Sequence, residues 1–212
     1  MILYGSPISP FVRKVSVYAA EKDIALERVA VGIGDPNPDF VRISPFKKMP
    51  ALSDGDFGIS DSTAIVAYLE TKFPEPALIP ADPENHARVI WFDEFGDTIV
   101  AAAGGKIFFN RVVAPKFLGR DGDEAAAALG ETELVPIYDY LESIIPASGF
   151  LVGDSFSLAD IAVASPFVNV AHCGITPDTS TYPKLTAYLA AIQSRPAFAE
   201  GIARERKMLG LG

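Results

Sequence analysis

The rhythm of apolar and polar positions changes about a third of the way along this 212-residue chain. Met1–Tyr4 (MILY) is a short apolar run that predicts a strand. Over Pro10–Lys22, Phe11, Val15, Tyr18 and Ala19 recur on one face, which predicts a helix. Leu26–Val31 (LERVAV) alternates apolar with polar, as a half-buried strand does. A loop rich in Gly, Asp and Pro follows, with a short helix expected near Asp39–Ile43. Two brief strands then flank Asp54-Gly55, a strong hairpin signal. Next, Ser60-Asp61-Ser62-Thr63 opens a helix whose apolar stripe carries Ile65, Val66 and Leu69. The order βαβ then ββα makes a complete small α/β layer.

Four prolines (Pro74, Pro76, Pro80, Pro83) then fall within ten residues, a stiff stretch that cannot continue a helix. Beyond it almost every apolar residue sits at helical spacing. Helices are expected at Glu84–Val112, Asp123–Ile145, Leu158–His172 and Pro183–Ser194, with a short one from Pro196. Gly104-Gly105 should break or bend the first, and Pro136 should kink the second. Ser157-Leu158-Ala159-Asp160 is a capping box with Asp in place of Glu or Gln. The chain divides into an α/β domain (1–76), a proline-rich linker (77–85) and an all-helical domain (86–212).

Composition narrows the function. An apolar fraction of 49% with 21% charged residues is that of a soluble globular protein. A net charge of −9 argues against nucleic acid or an anionic membrane as a partner. The single cysteine, Cys173, excludes an internal disulfide and a thiolate zinc cluster. His86 and His172 are too few and too far apart to suggest a metal site, so both are expected to be structural or exposed. No signal-peptide pattern opens the chain and no apolar run reaches the length of a membrane span, which points to the cytoplasm.

The candidate chemistry clusters in the first domain. Ser9 occupies the N-cap of the first helix, with Pro10 at the favoured first position. Capping is its plainer role, and facing a ligand that must hold negative charge is the sharper one. Tyr4 and Ser6 are rival hydroxyls in the same loop. Arg13 reads as either a solvated or a local countercharge, and Lys14 as solvated. Lys47-Lys48-Met49-Pro50 joins a loop to a strand. If the bond before Pro50 is cis, the backbone of Met49 turns outward and can pair with an extended peptide. The lysines would then offer a positive site for a carboxylate. At the next helix start, Asp61 and Ser62 serve as caps. Alternatively, two free N–H groups and a serine hydroxyl make a carboxylate seat, with Asp61 taking an ammonium group. Together these describe a single ligand: an amino-acid head, an extended middle, a distal carboxylate and a central group near Ser9. Glutathione has that layout.

On SPFVRKV, SPFKKMPAL, ISDSTAIVAYLE and FLVGDSFSLADIAVA, in this order around the proline linker, the chain resembles the cytosolic glutathione transferases of the serine type. The resemblance implies a thioredoxin-like N-terminal domain, an all-α C-terminal domain and a homodimer. It also implies roles: Ser9 as the activating hydroxyl, Pro50 as a cis-proline and Met49 as the residue pairing with the cysteinyl backbone. Asp61 and Ser62 match the pair on the γ-glutamyl head, Lys48 a residue near the glycyl carboxylate, and Asp160 a buried cap. The chain departs from the family in having Ser44-Pro45 before the cis-proline and Asp61 where Glu is commoner. Tyr4 stands near the position of the tyrosine used by other classes, and no cysteine occupies position 9.

The expected reaction adds the glutathione thiolate to a hydrophobic electrophile held against Phe11, Phe108, Phe109 and Arg111, with glutathione as co-substrate and no metal. A free thiol titrates near ~8.5. Lowering that by about two units needs roughly 2.7 kcal/mol of preference for the anion. One hydrogen bond to a charged group supplies about 1.5–3 kcal/mol, and a helix N-terminus adds roughly 0.3–1. Ser9 on its helix therefore suffices without a general base. The alternatives are another glutathione-dependent reaction (isomerisation, dehalogenation or peroxide reduction) and a non-catalytic glutathione-binding adaptor.

Overall fold

A computed structural model describes residues 1–211. The first layer is a four-stranded sheet in the order β2-β1-β3-β4, built from β1 (Ile2–Tyr4), β2 (Glu27–Val29), β3 (Ala51–Asp54) and β4 (Phe57–Ser60). β1 runs parallel to β2 and antiparallel to β3, and β3 and β4 form the hairpin. Its turn passes through Gly55 at φ +60°, a conformation glycine adopts without strain. Pleating sends Leu3 and Leu52 to the face covered by α1 (Pro10–Glu21) and α3 (Ser62–Lys72). Tyr4 and Ala51 go to the other face, where they pack with Phe40 and Ile43 of α2 (Pro38–Ile43). Only Glu27–Val29 of the alternating LERVAV run joins the ladder.

The second layer is helical: α4 (Pro83–Glu94), α5 (Ala101–Phe108), α6 (Ala114–Phe117), α7 (Glu124–Ile144), α8 (Leu158–His172), α9 (Pro183–Gln193) and α10 (Pro196–Leu209). α8 is buried over nearly its whole length and forms the axis of the molecule, as its all-round apolar sequence dictates. Asp160 closes the capping box and takes the N–H of Ser157 at 3.0 Å and that of Leu151 at 2.9 Å. Burial pushes its carboxyl up to about 6 despite those donors. The proline stretch is pinned by Glu70, which accepts the N–H groups of Leu78 and Ile79 at 3.1 Å each. No helix among the described residues is long and apolar enough to cross a membrane.

Two expectations are corrected. Gly104-Gly105 does not break the long helix; both lie inside α5, and the irregular turns are wide π-type ones at Phe95–Val100 and Phe109–Val113. Gly104 is instead a packing residue, since a Cβ there would stand 2.8 Å from Val170 Cγ2 of α8. The last helix is not short: α10 runs 14 residues and ends at Gly210 with φ +70°, a left-handed C-terminal glycine.

Candidate functional site between the two layers

A cleft of about 730 Å³ opens where the N-terminus of α1 faces α5 and α8. Ser6, Ser9, Phe11, Lys47, Lys48 and Met49 line one wall. Gly104, Gly105, Phe108, Phe109, Phe117 and Asn169 line the other, so the helical wall is mainly apolar. A Cβ at Gly105 would meet nothing within 4 Å, so that position leaves the cleft open.

Ser9 is the N-cap of the 12-residue α1 and half-exposed to the cleft. The Val12 N–H reaches its Oγ only at 3.5 Å, a weak cap. Among the described residues no acceptor takes the hydroxyl proton of Ser9. Ser6 also faces the cleft, and its N–H donates to Met49 Sδ at 3.3 Å. Tyr4 does not face it; its ring is buried on the α2 side of the sheet, stacked with Phe40 at 6.5 Å between centroids.

The Met49-Pro50 bond is cis. Neither the N–H nor the C=O of Met49 has a partner among the described residues. The Asp61 N–H donates to Pro50 C=O at 3.3 Å, which sets the N-terminus of α3 beside Met49. Asp61 is held at φ +86°, ψ 131°, a strained backbone for a residue with a side chain. Its Oδ1 accepts from Thr63 N at 3.0 Å and Ala64 N at 3.1 Å. The expected pair of free N–H groups is therefore already taken by the cap, because the neighbouring carboxylate reaches them first. What remains is the Ser62 N–H and the second oxygen of Asp61. Ser62 is buried and its hydroxyl donates to Asp97 Oδ2 at 3.0 Å.

Lys14 is the clearest correction. The sequence reads it as solvated, yet it is 1% exposed, with Nζ 2.6 Å from both Asp93 Oδ1 and Asp97 Oδ2. A buried ammonium needs such partners, and the helical layer supplies them. Thr63 joins the cluster, accepting from Lys14 at 3.2 Å and donating to Asp93 at 2.7 Å. Through Asp97 this cluster orients Ser62. Arg13 is buried too, paired with Glu205 at 2.5 Å. Arg111 lies outside the cleft lining; its guanidinium turns to Glu124 and to Glu131 at 2.6 Å. His172 is buried against Glu205 at 2.8 Å, and His86 is exposed.

A layer of this topology with a cis-proline beside the open N-terminus of a helix, docked on a helical bundle, is matched by known families. Residues 3–77 match the glutathione S-transferase N-terminal domain and residues 101–196 the C-terminal domain. The chain belongs to the glutathione S-transferase family. A glutathione S-transferase of Hyoscyamus muticus is 31% identical, over 95% of this chain and 97% of its own. Glutathione S-transferase 3 of Zea mays is 30% identical, over 95% and 92%. The crystal structure of a glutathione S-transferase from Rhodospirillum rubrum F11 superposes with a TM-score of 0.85 at 26% identity, covering 93% of this chain and 89% of that one.

Proposed function

We propose that this transferase ionises the thiol of glutathione at Ser9 and adds the thiolate to a hydrophobic electrophile lying against Phe11, Phe108 and Phe109. The observation that carries the reading is the Ser9 hydroxyl, uncommitted as a donor, at the positive end of a 12-residue helix in an apolar cleft. A hydroxyl proton and a helix N-terminus aimed at one sulfur meet the roughly 2.7 kcal/mol that a two-unit drop requires. The tripeptide runs along Met49, its glycyl carboxylate near Lys48. Its amino group rests on the free oxygen of Asp61, and its γ-glutamyl carboxylate meets the Ser62 N–H. Ser6 faces the same space but lies three residues before the N-cap Ser9 and caps no helix itself.

Ultraviolet titration of the bound thiolate tests the assignment. Ser9→Ala should raise the pH of ionisation by about one to two units, and Ser6→Ala should leave it in place. The reverse pattern would move the role to Ser6. A second copy of the chain is the proposed partner. Phe46, Trp91 and Ile99 support that reading, standing 85%, 48% and 46% exposed. Sedimentation of the purified chain as a monomer would remove it.

A further inference from the structure

We propose that Asn169 of α8 and Glu205 of α10 are positioning residues for the serine loop: Asn169 holds the carbonyl of Ile8, and Glu205 acts on it through Arg13 and then Asn169. The inference deepens the reading that Ser9 activates the thiol, and rests on it. Asn169 Nδ2 donates to Ile8 C=O at 2.8 Å, and Ile8 is joined to Ser9 by one peptide. Asn169 Oδ1 accepts from an Arg13 terminal nitrogen at 2.7 Å. Chemistry fixes which way this amide faces. A guanidinium only donates, so the amide oxygen must meet it, and the amide NH₂ is left for the Ile8 carbonyl.

Arg13 is itself held at several points. Its Nε and Nη2 meet the two oxygens of Glu205 at 2.8 and 2.5 Å, and its Nη1 also donates to Ser165 C=O at 2.6 Å. His172 Nε2, 2.8 Å from Glu205 Oε2, holds the carboxylate in turn. Asn169, Arg13 and Glu205 are 3%, 3% and 1% exposed, so water does not compete for these bonds. The loop's other ties are local or to a soft acceptor: Ser6 N–H donates to a thioether sulfur, Ser9 N–H closes a turn on Ser6 C=O at 3.0 Å, and Ser9 C=O takes the first helical bond from Arg13 N–H at 2.9 Å. The helical domain thus sets where the Ser9 hydroxyl stands relative to the sulfur, through a path that ends 192 residues from Arg13.

Asn169→Asp tests this on the full chain. It keeps an acceptor for Arg13 but sets a carboxylate oxygen against the Ile8 carbonyl, with no proton between them. The expected result is a folded protein whose bound-thiol titration moves up by about one pH unit. Its kcat on an activated aryl halide should fall about tenfold, below the hundredfold that a full ångström of misplacement costs, with KM for the halide unchanged. Glu205→Gln keeps shape and one acceptor, and should shift the titration the same way by less. Amide hydrogen exchange over residues 6–9, measured without ligand, reads the clamp independently of the Ser9 assignment; both variants should exchange about tenfold faster there. If exchange and titration stay at wild-type values in both variants, even with thermal stability lowered, the proposal is overturned. Faster exchange with an unmoved titration would overturn the role of Ser9 and leave the clamp standing.

Discussion

Arg13 and Lys14 are neighbours on α1, almost equally buried at 3% and 1% exposed, yet they sit in opposite charge balances. Arg13 turns toward α10 and faces the single carboxylate of Glu205. Lys14 turns toward α4 and the wide turn after it, and faces two, Asp93 and Asp97. Burial raises both Glu205 and Asp97, but the outcomes diverge. At Glu205, Arg13 and His172 outweigh burial and hold the carboxyl below its usual range. At Asp97, burial wins over Lys14, helped by repulsion from Asp93, and the carboxyl sits above its usual range. The lesson is that cations per carboxylate, more than depth, decide which way a buried acid shifts.

The largest expected effect breaks the balanced side. Arg13→Met leaves Glu205 buried with His172 alone, and should cost about 3–5 kcal/mol in urea unfolding at neutral pH. A loss below about 1 kcal/mol would mean the pair contributes nothing net. Lys14→Met strands two carboxylates, but one of them, Asp97, is already pushed up by burial and by Asp93, so its charged form gains less from the ammonium than that of Glu205 does from Arg13. Its cost should be smaller, about 2–3 kcal/mol at pH 7, and should shrink on acidification. The contrast fails if both variants lose the same amount at every pH.

Adjacent residues with such different fates explain what the chain discloses locally and what it hides. The Ser9-Pro10 helix start, the Asp54-Gly55 turn and the Ser157–Asp160 capping box all lie within four residues of sequence, and each stands in the structure where the local pattern puts it. The partners of Lys14 lie 79 and 83 residues away, so no local pattern contains them. A faint signal existed: Lys14 precedes Tyr18 by one helical turn, on the buried stripe rather than opposite it. Asn169 gave none, being one of four polar residues, with Asp160, Ser165 and His172, in an otherwise apolar helix. Arg111 misled because its acidic partners, Glu124 and Glu131, sit in the next helix, 13 and 20 positions on. Gly104 read as a breaker because its neighbour Val170 is visible only once α5 and α8 pack. Sequence reaches local caps and turns, the Ser9 start at the cleft among them, and loses the long-range ion pairs that fix α1 against the helical layer.

The finest test of the two balances uses charge removal without change of shape. A carboxyl raised in the folded state, as Asp97 is, contributes stability in full below its unfolded value of about 3.9, and loses it as pH rises through the folded value. Asp97→Asn removes that loss. Its stability relative to the parent should therefore climb as pH rises above about 4, with Ser62 still able to donate to the amide oxygen. A carboxyl lowered in the folded state, as Glu205 is, contributes stability above its unfolded value of about 4.3, and loses it as pH falls through the folded value. Glu205→Gln should then be most costly near neutrality and approach the parent in acid. Urea midpoints of both variants between about pH 3.5 and 7 should give slopes of opposite sign. Parallel slopes would show that the two neighbouring cations face equivalent carboxylates, and that the second acid beside Lys14 does not set the two sites apart.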